Sequence, residues 1–136
     1  MKSLLLDTNV LVRFLVQDDA KQAAAASKLM SDAQSGIYEL ILDRMVVAEL
    51  IYVLIGHYKR PRVDVANTAL ALVRSPFVRT EHEQELVDAL LRFRDHGVDF
   101  VDAWLVAKGA TSAHEIASFD RDLDKFSDVI RFQPKR

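Results

Sequence analysis

The chain is predicted to fold as an α/β protein with a central, mostly parallel sheet of four to five short strands flanked by helices. Three features lead there. Short apolar runs alternate with longer stretches of helical period, and strands separated by helices pair in parallel with helices over the sheet. No segment rich in Gly, Ser and Pro divides the 136 residues, so a single domain over 1–136 is expected, long enough to bury a core. The opening run "SLLLD" at 3–7 is apolar up to an acid. That is the pattern of a buried strand ending at the carboxyl edge of a parallel sheet, where such sheets place their sites.

The elements follow in order. Residues 3–7 are the first strand, and helices cover 9–16 and 19–34. Asp18 or Asp19 can cap the second helix, and its "AAAA" at 23–26 favours helix and close packing. "YELIL" at 38–42 alternates weakly and reads as the second strand. Residues 44–58 form a strongly apolar helix that stops before Pro61. Residues 63–74 form another, with Ala66, Leu70 and Val73 on one face. "FVRT" at 77–80 is a short strand, and helices follow over 82–95 and 99–111. "EIASF" at 115–119 is a strand, 121–126 a short helix, and "VIRF" at 129–132 the last strand.

Composition narrows the class. Hydrophobic residues make up 50% and charged residues 28%, the balance of an ordinary globular protein. The absence of cysteine excludes disulfides and thiolate metal ligands, and fits a reducing compartment. The three-leucine run is too short for a signal peptide or a membrane span, so a cytoplasmic protein is expected. The net charge of −2 announces no general affinity for nucleic acid. With four of the 20 acids set aside around a metal, however, the 18 Lys and Arg outnumber the remainder, which permits a polyanionic partner.

Four acids stand in unusual places. Asp7 closes the leucine run, where a carboxylate is either a helix cap or a chemical group. Glu49 is the only charge between Met45 and Gly56, in an otherwise apolar helix, and a carboxylate there needs an exposed stripe, a partner or a polar pocket. Asp99 and Asp102 are three residues apart and share one side of a helical turn. Asp99 reads as the N-cap and Asp102 as an acid at the helix's positive end, but the cap uses Asp99 and leaves Asp102 optional. Asp120 follows "ASF" at the end of a strand, with Asp122 two residues on. Asp7, Glu49, Asp102 and Asp120 brought together would repel one another unless a hard cation neutralised them. Oxygen ligands without Cys or His suit Mg²⁺ or Mn²⁺ rather than zinc.

These segments resemble a PIN domain, and specifically the VapC-type toxins of toxin–antitoxin pairs. "LLLDTNVLVRFLVQDD" is similar to the opening signature of that family, "VVAELIYVL" to its second acidic element, "DFVDAWLVA" to its third and "ASFDRDL" to its fourth. The motifs occur in family order over residues 4–123. The resemblance implies a three-layer α/β sandwich with Asp7, Glu49, Asp102 and Asp120 as the acidic quartet. Thr8, Asn9 and Ser118 then line the pocket, Ser118 standing where the family usually has threonine. Asp99 and Asp122 fall beside quartet positions and are further candidate ligands. The implied activity is Mg²⁺-dependent endoribonuclease action on structured RNA such as tRNA or ribosomal RNA. The implied partners are a second copy of the chain, as a homodimer, and a cognate antitoxin that silences it.

A divalent ion lowers the pKa of a water it holds and neutralises charge on a phosphodiester. Cleavage by that water, not by the ribose 2′-hydroxyl, leaves 5′-phosphate and 3′-hydroxyl ends. Asp7 and Asp102 are the foremost direct ligands, with Glu49 and Asp120 completing the ring. Arg13, Arg44, Lys59, Arg60 and Arg62 are the candidates for phosphate contact, and Tyr58 within "HYKRPR" for stacking on a base. The four scattered histidines lack ligand spacing, and Trp104 fits core or interface. The alternatives are a PIN-like interaction module without activity and a metal-dependent phosphatase. The phosphatase pattern wants an acid where Asn9 stands. A dinucleotide-binding fold wants glycines beside Asp7, and there are none.

Overall fold

The computed structural model describes all residues from 1 to 136, and the chain divides into two compact units, Met1–Glu81 and His82–Arg136. The first unit runs β1 (Lys2–Leu5), α1 (Thr8–Val16), α2 (Ala20–Gln34), β2 (Tyr38–Ile41), α3 (Arg44–Tyr52), a π-helical turn (Val53–His57), α4 (Arg62–Val73) and β3 (Val78–Arg79). The second runs α5 (Glu83–His96), α6 (Phe100–Ser112), β4 (Ile116–Ala117), a 3₁₀ turn (Arg121–Lys125) and β5 (Arg131–Phe132). Every strand pairing is parallel, as the alternation of strands and helices requires. The five strands are joined by hydrogen bonds as two ladders rather than one, β1-β2-β3 in the first unit and β4-β5 in the second.

In the first ladder Leu4 lies opposite Leu40 and Leu5 opposite Ile41, and Leu40 in turn lies opposite Val78. The leucine run is half-buried, not wholly buried as expected. Leu6 is buried while Leu5 is 77% exposed. β1 is an edge strand, and successive side chains alternate between its faces. The strand also ends earlier than Asp7. Leu6 still donates its N–H to the Ile41 carbonyl at 2.9 Å, and Asp7 takes the N-cap position of α1. Around the sheet the core is aliphatic, with Leu11 and Val12 of α1, Ala23, Ala26 and Met30 of α2, Leu50 and Ile51 of α3, and Ala66, Leu70 and Val73 of α4 all buried.

The apolar helix expected over 44–58 changes register. After Tyr52 it widens into the π-helical turn, closed by Tyr58 N–H on the Val53 carbonyl at 3.2 Å. Gly56 lies in that turn and gives α geometry little support there. Pro61 then sits at the N-cap position of α4.

In the second unit α5 and α6 form a hairpin turned at Gly97, whose φ of 67° is the left-handed conformation glycine adopts without strain. Leu86, Ala89, Leu90 and Phe93 of α5 and Phe100, Ala103, Val106 and Ala107 of α6 are buried. Phe93 and Phe100 meet edge to face with ring centres 6.2 Å apart. At the far end of α6, a Cβ on Gly109 would stand 3.0 Å from the His114 carbonyl oxygen, so the bare backbone is what lets the chain fold back into β4. The following turn buries Leu123 and Phe126, and Arg92 lies over the Phe126 ring while binding Asp88 and Asp128. No helix is long and apolar enough to cross a membrane.

The hairpin fixes the start of α6. Leu90→Ala is expected to lower stability by about 2–5 kcal/mol, the cost of an unfilled core site. Urea unfolding followed by circular dichroism measures it.

Candidate active site

Five aspartates occupy helix N-cap positions, Asp7, Asp19, Asp43, Asp99 and Asp120. Three of them cap. Asp19 accepts from Gln22 N–H at 3.0 Å, Asp43 from Met45 N–H at 2.8 Å and Asp120 from Asp122 N–H at 2.9 Å. Asp7 and Asp99 make no side-chain cap hydrogen bond. A cap contributes about 0.5–2 kcal/mol, so these two carboxylates forgo a contribution the others make. Both remain at the positive end of a helix, which favours a negative charge. Asp99 was expected to cap α6. It holds the N-cap backbone conformation, but its carboxylate is not used for capping.

In the first unit Asp7 lies on a cleft of about 340 Å³ together with Asn9, Val10, Arg13, Gln22, Ala25, Ala26 and Leu29. Three residues expected at the site, Asp7, Asn9 and Arg13, therefore share one cleft. Arg13 is held there by Asp18 at 2.9 Å and by the side-chain Oε1 of Gln22 at 2.8 Å. The pairing with Asp18 leaves Arg13 less charge to offer a phosphate. Thr8 points inward and is 5% exposed, and its Oγ1 has no hydrogen-bond partner. A buried hydroxyl left in that state costs about 1–3 kcal/mol. Glu49 is exposed and faces a different, wide groove lined by Met45, Ala48, Tyr52, Val53, Gly56 and His57. Tyr58, expected to stack on a base, is engaged otherwise. Its hydroxyl donates to Asp18 at 2.9 Å and its ring meets His57 edge to face.

In the second unit Asp102 occupies the third position of α6 and is half-buried. Burial pushes its carboxyl above the usual aspartate range, and the charges of Asp120, Asp99 and Asp122 push it the same way. Asp99, Asp102, Asp120 and Asp122 are thus one electrostatic cluster. Their carboxylates are neighbours at Coulombic range and not at ligand range, since no three acidic or imidazole side chains are close enough to hold a metal ion as they are oriented. Ser118, expected to line the pocket, has its hydroxyl accepting from Asp120 N–H at 3.0 Å, so it shapes the loop that carries Asp120. Arg44 lies in the first turn of α3, on the exposed surface.

The donor chemistry fits a hard divalent cation. The groups acting on Asp102 are carboxylates, and neither Cys nor His is among them. Burial is the first cause of the raised Asp102 pKa, and a cation at this cluster would offset both it and the repulsion from Asp120, Asp99 and Asp122.

The model of the PIN domain matches residues 4–129. The chain belongs to the PIN-domain family. PIN domains are generally metal-dependent nucleases, and the parallel α/β elements agree with that fold class. No curated protein and no solved structure matches the chain. The residues that the sequence alone did not single out in this PIN domain are Arg131 and Asp124, which bind each other at 2.9 Å beside the Asp120 loop.

The Asp102 shift predicts a pH signature. An acid whose pKa is raised by folding holds its proton to higher pH in the folded state than in the unfolded chain. Without metal, the contribution of Asp102 to stability then falls as pH rises through the carboxylate range. Asp102→Asn removes that fall, so at neutral pH the variant should melt a few degrees higher than the wild type in EDTA. The gap should close in acid, below the ordinary aspartate pKa. Parallel melting curves across the range contradict the assignment.

Proposed function

We propose that this protein is a Mg²⁺-dependent endoribonuclease toxin of the VapC type that hydrolyses phosphodiester bonds in structured RNA such as tRNA or ribosomal RNA. The observation that carries this reading is the carboxylate cluster at Asp102, whose crowding a divalent cation relieves. Family membership and the order of the acidic motifs support it. On this reading Asp7 and Asp102 would hold the ion directly, Glu49 and Asp120 would complete its oxygen shell through water, and Asp99 and Asp122 are further candidate ligands. Mn²⁺ can replace Mg²⁺ at such donors. The match runs across both compact units, which supports reading 1–136 as a single PIN domain.

When bound, the ion supplies a nucleophilic water at neutral pH and neutralises the phosphoryl oxygens under attack. The chain's own residues do the rest. Asp7 and Asp99 keep uncapped carboxylates at helix N-termini. Asn9, which lines the cleft with Asp7, offers amide hydrogen bonds to a nucleotide. Lys59, Arg60, Arg62 and Arg44 attract the phosphate backbone, which acids alone would repel. Products then carry 5′-phosphate and 3′-hydroxyl ends.

The protein works in the cytoplasm, as a homodimer silenced by its cognate antitoxin. Exposed apolar side chains at Met45 and Tyr52 of α3, and at Val101 and Leu105 of α6, support burial against another protein surface.

The test is RNA cleavage. Purified wild type should cut total cellular RNA in Mg²⁺ and lose activity in EDTA. Asp7→Asn, shown by circular dichroism to be folded, should be at least about 100-fold slower, the scale of losing a group that stabilises the transition state. Equal cleavage by Asp7→Asn and wild type sinks the reading.

A further inference from the structure

Arg131 on β5 is a charged side chain with only 8% of its surface exposed. It reaches both ends of one loop. Its Nη1 donates to the Ser118 carbonyl at 2.9 Å and to the Gln133 side chain. Its Nε and Nη2 bind the two oxygens of Asp124 at 2.9 and 3.2 Å. Ser118 and Asp124 bracket the stretch that carries Asp120 and Asp122. Inside that bracket Ser118 Oγ accepts from Asp120 N–H, and Asp120 Oδ1 accepts from Asp122 N–H. Ser118 is fixed from the other side too, its N–H donating to the Phe132 carbonyl at 3.1 Å.

We propose that Arg131 is a positioning residue, clamping the Ser118–Asp124 loop so that Asp120 and Asp122 are presented in a fixed geometry to a divalent cation. This rests on the metal-dependent nuclease reading above. Four donor contacts account for most of the guanidinium's hydrogen-bonding capacity, so Arg131 is not a phosphate contact. Asp124 balances its charge, so it can stand near Asp120 without neutralising that acid as a ligand. The Coulombic field of Asp120 does reach it. Only a planar fork serves both ends at once. A lysine offers one point charge and cannot hold the Ser118 carbonyl and both Asp124 oxygens together.

The structural role alone predicts lost stability. The positioning role predicts more, and three variants separate the two: Arg131→Lys, Arg131→Met and Asp124→Asn. Asp124 is exposed, so its substitution keeps the fold if Arg131→Met does not. Mn²⁺ affinity, measured by calorimetry without RNA, should weaken about 10-fold or more in both Arg131 variants, the usual cost of losing a residue that orients a ligand. Asp124→Asn should weaken it by a smaller factor. In RNA cleavage kcat should fall while KM stays near wild type. Amide hydrogen exchange at Asp120 and Asp122 should quicken in the metal-free variants.

Folded variants that bind Mn²⁺ as the wild type does overturn the proposal, and Arg131→Lys with Asp124→Asn decide it if Arg131→Met cannot be folded. Wild type that binds Mn²⁺ but cuts no RNA overturns the nuclease reading alone, and the affinity ratios still judge Arg131. Wild type that binds no Mn²⁺ overturns both.

Discussion

Asp102 is held half-buried in the first turn of α6, with its carboxyl pushed up by burial and by the charges of Asp120, Asp99 and Asp122. The positive end of the helix opposes that push by about 0.3–1 kcal/mol, and it does not win. The acid cannot relax by turning the helix. Phe100 and Ala103 on either side of it are buried, and rotating Asp102 outward would expose them. Apolar packing therefore holds a like-charged cluster in place. This is a local conflict between charge and packing, and such conflicts concentrate at functional sites.

The same division of labour recurs along the chain. Asp19 and Asp43 take N-cap positions and cap, so their carboxylates are used by the fold. Asp7 and Asp99 take N-cap positions and do not. Asp120 does both, giving one oxygen to Asp122 N–H and leaving the other available. The basic residues divide likewise. Arg92 and Arg131 are tied into the second unit by aspartates, and Arg13 is tied to Asp18. The cations of the "YKRPR" stretch at 58–62 are the ones proposed to meet a polyanion.

Much of this was legible in the sequence because it is local. Helix limits follow from Gly97, Pro61 and apolar periodicity, and most lie within a residue or two of their expected place, α3 giving way early, after Tyr52, to the π-helical turn. Asp7 and Asp102 stood out because acids interrupt apolar runs. What escaped depends on side-chain orientation and on contacts distant in the chain. The letters of Asp99 and Asp43 are the same, and only side-chain orientation separates a free carboxylate from a cap. Tyr58 reads as a stacking residue until Asp18 is seen to hold its hydroxyl. Ser118 reads as a pocket hydroxyl until it is found bonding Asp120 N–H. Arg131 lies in an unremarkable terminal strand, and its role arises only when β5 pairs with β4. Leu5 reads as core, and edge pairing leaves it outside.

The carboxylates around Asp102 are proposed as a cation site, where a bound ion offsets the cost of burial and of mutual repulsion. Calorimetric titration of Mn²⁺ into the wild type and into Asp102→Asn, at neutral pH and without RNA, tests it most directly. The account predicts saturable binding by the wild type and a loss of at least about 10-fold in affinity for the variant. Equal affinity in the two proteins, or no saturable binding by the wild type, contradicts it.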